Sequence, residues 1–369
     1  MNKPPVRFLI ASPCGDIPVN EEKLDLPLET DPLKTSYREY FRSITDFLTG
    51  KNSLPLHHAL NITAVAGIYP HDIDEIIIRT EKHGALYHPA SIDLVCKTNR
   101  IKFGLNVAVT DAGKDCLRRE FTLLKVLHET FNLPFIPEPY FLGELDSKVF
   151  LLEEWFEGYH EFHIAETGGG RYQVKLWEYG KGDRFLSPAQ SFALCRQAAM
   201  ILTLYYDIDN FRVIYPWHHA AGDFIAKITD EEITDVRLTT VRGYEPFLST
   251  DEDLVHPALA LFYFLLHLSI QMRLDKLDGV GEIAWADAPC IEATLAGFFQ
   301  ALEMKKDFMN SLGSTRSFLE LLKSFSRDDL EHTFRAVAAQ FEQTKDFPVI
   351  ARNLAEHVSR FYLTLRNFP

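Results

Sequence analysis

Residues 214–225 read Ile-Tyr-Pro-Trp-His-His-Ala-Ala-Gly-Asp-Phe-Ile, which places two imidazoles and a carboxylate on one short segment. Each could do chemistry. An unperturbed histidine titrates near pH ~6.5, so His218 is a candidate general base at neutral pH, with His219 beside it. Asp223 offers hard oxygen donors of the kind that hold a divalent cation. A plain turn accounts for the same residues differently: Gly222 supplies the bend, and Trp217 packs the loop with one of the histidines. Both readings stand on the local sequence.

The flanking elements decide what such a segment can be. Before it, Ala189 to Tyr206 is an apolar run of helical period, opened by the capping serine and first-turn proline of Ser187-Pro-Ala-Gln-Ser191. After it, Phe224 to Ile228 alternates in the manner of a strand. The segment is therefore a helix-loop-strand corner, where rigid elements hold loop residues in place. Upstream, Glu75–Thr80, Ser91–Cys96 and Lys102–Thr110 read as an antiparallel meander. Asp115–Phe131 carries Leu117, Phe121 and Leu124 at helical spacing, and Pro139–Leu142 and Val149–Glu154 add two strands. Residues 168–183 read as a loop or hairpin insertion, and 224–240 as a short hairpin.

The ends are helical or extended. Ser36–Leu48 predicts an amphipathic helix closed by Gly50, preceded by an extended arm or partly ordered extension over residues 1 to about 35. Beyond Met304, Ser317–Phe325, Asp328–Phe341 and Ala351–Tyr362 predict a helical cap on the second lobe or a surface for a protein partner. The division that follows is 1–71 as an N-terminal extension, 72–160 as a small sheet lobe and 161–369 as a helical lobe.

Composition narrows the function classes. With 46% hydrophobic and 24% charged residues the 369-residue chain is an ordinary globular protein. A net charge of −14 argues against nucleic acid or an anionic membrane as partner. Five scattered cysteines without a CxxC pair suggest reduced thiols in a cytoplasmic setting. The most apolar stretch, Ala258–Ile270, is too short to cross a bilayer and reads as a buried core helix. No GxSxG, GxGxxG or P-loop motif occurs, and Pro70-His-Asp-Ile-Asp74 has the spacing of a turn rather than a metal cluster.

Three strands, a helix, two strands, an acidic connector, a long helix, the His/Asp loop, a hairpin and further helices form a known order. Over roughly residues 72 to 305 the chain resembles the protein-kinase-like superfamily, in particular its aminoglycoside and choline phosphotransferase branch. The resemblance implies an α+β, two-lobed fold, an antiparallel-sheet N-lobe and a mostly helical C-lobe, with ATP and Mg as cofactors. It matches Glu120 to the helix glutamate that holds the phosphate-binding lysine, and Val149 to Gly158, including Glu154, to the adenine-binding hinge. Asp223 matches a metal ligand, and Gly243-Tyr-Glu-Pro246 follows the strand Thr234–Thr240.

The departures fall on the charged groups that phosphoryl transfer requires. Asn106 stands where the family has its lysine, leaving Lys97 or Lys102 to reach in from neighbouring positions. The loop Glu81 to Pro89 has the single glycine Gly84, with Lys82, His83 and His88 to supply charge. His218 takes the place of the catalytic aspartate, and Thr239 or Thr240 that of the second metal ligand. Three readings result. The first is a pseudokinase-like protein whose pocket takes a nucleotide or small molecule without ordinary phosphoryl transfer. The second is an atypical small-molecule phosphotransferase or nucleotidyltransferase with Asp223 on the metal, His218 as base and Glu120 positioning a displaced cation. The third is a structural or interaction module.

Overall fold

The computed structural model describes residues 4–12, 15–63, 68–81, 84, 86–97, 99–168, 172–178, 180–218, 222–229, 231–248, 256–279, 281–305 and 313–369. The chain is α+β and divides into two compact units, residues 1–157 with 179–182, and residues 158–178 with 183–369. Among the described residues, no helix is long and apolar enough to cross a membrane. Cys96, Cys116, Cys195 and Cys290 are free thiols.

The first unit is built on a seven-stranded sheet. Its strands are β1 (Val6–Ile10), β2 (Ile17–Pro18), β3 (Glu75–Thr80), β4 (His88–Cys96), β5 (Asn99–Ala108), β6 (Pro139–Leu145) and β7 (Lys148–Glu154). They lie in the order β2-β1-β3-β4-β5-β7-β6. The expected meander is present, and β7 pairs antiparallel with β5, Gly104 opposite Glu153 and Asn106 opposite Leu151. The expectation of an extended arm over residues 1 to 35 is corrected. Val6–Ile10 runs parallel to β3, Phe8 opposite Ile78, because its apolar side chains complete the same core.

Strand alternation gives this sheet two unlike faces. One carries Ile76, Ile78, Ile92, Leu94, Phe103, Leu105, Phe150 and Leu152, all buried. The unit has helices α1 (Glu21–Leu24), α2 (Tyr37–Thr49) and α3 (Leu54–Ile62), and the apolar residues of α2 and α3 join those eight in one core. Helix α2 starts where Ser36 accepts from the Glu39 amide at 3.2 Å and ends at Gly50, where a Cβ would lie 2.5 Å from the Asp46 carbonyl. The residues expected to form an extension are therefore part of the core of the first unit. The opposite face bears Arg79, Ser91, Asp93, Lys102, Gly104, Asn106 and Glu153. Helix α4 (Asp111–Phe131) contacts β5, β6 and β7, capped by Thr110 and closed by Asn132 with φ +49°.

The second unit holds a five-stranded sheet, β10-β9-β8-β12-β13, from β8 (His160–Glu166), β9 (Tyr172–Glu178), β10 (Gly182–Phe185), β12 (Phe224–Ile228) and β13 (Ile233–Leu238). The expected insertion, residues 168–183, holds β9 and the start of β10, with β9 paired to β8 before it; residues 169–171 and 179 lie outside the described residues. Two small hairpins pair β11 (Arg212–Ile214) with β14 (Tyr244–Pro246), and β15 (Leu274–Lys276) with β16 (Ile283–Trp285). Helices α5 (Pro188–Leu204), α6 (Pro257–Gln271) and α7 (Pro289–Met304) form the core of the unit. Ser187 and Gln190 form the capping box of α5, at 3.2 and 2.9 Å. Helices α8 (Thr315–Ser324), α9 (Arg327–Ala339) and α10 (Phe347–Asn367) pack as the expected cap, burying Phe334, Val337, Phe341 and Phe361. The α6 helix is apolar on every side and buried, as its sequence requires.

Candidate functional site

In the first unit the residues matched to the phosphate-holding pair, Asn106 and Glu120, both act on Glu153. Asn106, 9% exposed, donates from Nδ2 to Glu153 Oε1 at 2.7 Å. Gly104 makes room for this: a Cβ there would lie 3.3 Å from Glu153 Cγ. Glu120, on α4, is 1% exposed and accepts from the Tyr87 hydroxyl at 3.0 Å. Burial, and then the Glu120 carboxylate, hold Glu153 well above the usual carboxylate range, and the Asn106 amide opposes this in part. Glu153 Oε2 is buried without a hydrogen-bond partner. The position that carries a cation in the resembled family therefore joins a cluster of buried acids.

The other groups expected in this half are dispersed. Lys102 lies with Nζ 4.9 Å from the Trp155 ring centre, and Lys97, at the β4–β5 turn with φ +50°, is tied by its amide to Asp74 at 2.6 Å. Gly84 is in a turn, its amide donating to the Tyr87 carbonyl at 3.2 Å. Lys82 and His83 lie outside the described residues. His88 is corrected as a source of positive charge: it is buried, 3.9 Å from Asp31, and burial pushes its pKa down. Glu154 accepts from the Glu138 amide at 3.3 Å and returns its own amide to the Glu138 carbonyl at 2.9 Å. Its carboxylate therefore braces the start of β6 against the end of β7.

In the second unit the expected helix-loop-strand corner is corrected: β11 follows α5, pairs with β14 and leads into the loop, so the segment joins β11 to β12, with Tyr215–Pro216 cis. Asp223 is 1% exposed and both of its oxygens are engaged. Arg242 donates Nη1 to Oδ2 at 2.5 Å and Nη2 to Oδ1 at 2.6 Å, and the His218 amide donates to Oδ2 at 2.8 Å. The Asp223 carbonyl accepts from the Thr239 amide at 2.7 Å, and the Thr239 hydroxyl donates to the Gly222 carbonyl at 2.8 Å. Trp217 is buried and meets Phe224 edge-on at 5.5 Å, a packing role. His218 thus enters this network through its backbone, and His219 lies outside the described residues.

Two residues here were not singled out in the sequence. Arg242 sits nineteen positions after Asp223, beyond the reach of any local pattern. Glu161, in β8 opposite Ile225, lies so close that a Cβ on Gly222 would be 2.9 Å from its Oε1; Gly222 has φ +70°. Asp235 is held by the Tyr159 hydroxyl at 2.5 Å and by Arg237 at 2.6 Å. A bidentate guanidinium is the strongest partner a carboxylate can find in a protein, so a metal at Asp223 would have to displace Arg242. Among the described residues, no group of three or more His, Cys, Asp or Glu side chains is placed to hold a metal ion. Neither a scan against protein-family models nor a search of curated proteins returns a match to this chain.

Proposed function

We propose that the chain is a kinase-like, pseudokinase-type binding protein that does not carry out ATP-dependent phosphoryl transfer. The order β3, β4, β5, α4, β6, β7, then α5, the loop and the β12–β13 hairpin supports the kinase-like reading, since it is the order the sequence resemblance implies. The observation that carries the functional reading is the Asp223–Arg242 pair. Phosphoryl transfer needs carboxylates that bind magnesium and cations that bind phosphate. Here the matched carboxylate is neutralised by an arginine, Thr239 donates its proton to a carbonyl, and Asn106 bonds a buried acid. This donor set does not fit Mg·ATP.

Calorimetric titration of ATP into the full chain, with magnesium, with manganese and with neither, tests the reading. The expected result is that metal leaves the affinity for ATP unchanged, whatever that affinity is. Metal-dependent ATP binding that disappears in a folded Asp223→Asn variant would overturn it and make the atypical phosphotransferase the better account.

A further inference from the structure

A cavity of about 710 Å³ opens in the second unit, bounded by the β15–β16 hairpin, the start of α7 and one face of α10. It is cationic on an acidic protein: Arg273, Arg352 and Arg360 line it together with Asp287 and Glu356, and three guanidiniums less two carboxylates leave one positive charge. Arg273 is built into the wall at 3% exposure. Its Nε donates to the Ala286 carbonyl at 2.7 Å, its Nη1 to Glu356 at 3.0 Å, and its plane lies 4.6 Å over the Trp285 ring.

These contacts leave donors over. Among the described residues, Nη2 of Arg273 has no acceptor, and Arg352 makes no ion pair or hydrogen bond. Arg360 shares Glu356 at 3.4 Å. The Trp285 indole N–H is buried without a partner. Ala288 and Pro289 bring the N-terminus of α7 to the same space without a side-chain cap, so its partial positive charge adds to that of the arginines. A buried guanidinium is costly unless its donors are matched, and a fork of arginine N–H groups matches carboxylate or phosphate oxygens.

We infer that this cavity binds a small organic anion, its carboxylate or phosphate ester held between Arg273 and Arg352 and its body against Trp285 and Tyr172. The volume falls in the range of small-molecule sites and is larger than a bare ion needs. The inference does not depend on the kinase-like reading, because none of these residues belongs to the matched motifs.

The test is calorimetry on the full chain at low salt with three probes: inorganic phosphate, phenyl phosphate and benzoate. Phenyl phosphate or benzoate is expected to bind more tightly than inorganic phosphate, and whichever of the two is tighter identifies the anionic group. Arg352→Gln is expected to weaken that binding by on the order of tenfold, the loss of one charge-assisted hydrogen bond. Arg352 has no structural partner to lose, and circular dichroism checks that the variant is folded. No binding of any probe at millimolar concentration, or equal affinity in wild type and Arg352→Gln, would overturn the inference.

Discussion

The Asp223–Arg242 pair makes a quantitative prediction about stability. The Asp223 carboxylate is 1% exposed and takes two guanidinium hydrogen bonds and one from the His218 amide. In Arg242→Leu the carboxylate stays buried with one donor. Breaking a buried pair from one side costs about 3–5 kcal/mol, and the Arg242 side chain is 24% exposed, which places this variant at about 3 kcal/mol. Asp223→Asn keeps an acceptor for the His218 amide but removes the charge that the guanidinium pairs with, at a cost of about 2 kcal/mol. The double variant removes both charges, so it should lose about 2 kcal/mol less than the sum of the singles. Urea unfolding followed by far-UV circular dichroism on all four proteins measures the cycle. Additive losses, or a cost below about 1 kcal/mol for Arg242→Leu as at an exposed salt bridge, would refute the view of Asp223 as a saturated ion-pair partner.

Three further outcomes are expected. Glu153 has a raised folded pKa, so the folded state holds its proton more tightly and stability falls as pH rises above the unfolded value; Glu153→Gln should be more stable than wild type at pH 8 and lose its advantage below pH ~4, as thermal melts across that range would show. His267 is pushed by burial down to about 3 and stacks on Phe341 at 4.9 Å; its contribution is present above pH ~6.5 and is lost as pH falls towards 3, at about 1.4 kcal/mol per pH unit. His267→Phe should flatten the acid limb of a stability–pH curve, and an unchanged limb would refute the assignment. Gly297→Ala, which helix propensity alone would favour by up to about 1 kcal/mol, should instead destabilise by about 1–3 kcal/mol in urea, because its Cβ would meet the Arg196 carbonyl at 2.0 Å.

What could be read from the sequence followed the range of the interactions. Capping at Ser187, the period of α4, the unbroken apolar run of α6 and the meander 75–108 are local, and each appears where its residues point. The strand after the loop 214–225 was identifiable from its alternation, but β11 before it was not, because three residues paired with a partner about thirty positions later carry no period of their own. Arg242 was not, since its pairing with Asp223 is made by a strand hairpin that closes in three dimensions. Val6–Ile10 was missed because four apolar residues and an arginine between prolines look like an arm until β3, about seventy positions later, offers a parallel partner. The cavity at Arg273 was likewise invisible: its arginines come from the end of α6 and from α10, and neither stretch carries a motif.

The placement of β1 also bears on how the first unit avoids self-association. Strand β3 is six residues long and rich in isoleucine, and an uncovered edge of that kind is a template for pairing with another chain. Laid along it, β1 moves the edge outward to β2, which is two residues long and ends in Pro18, a residue with no amide to extend a ladder. Residues 6–18 therefore act as a selvedge: β1 covers β3, and over Leu9 and Ile10 the sheet ends in a margin too short and too poor in donors for a second molecule to continue.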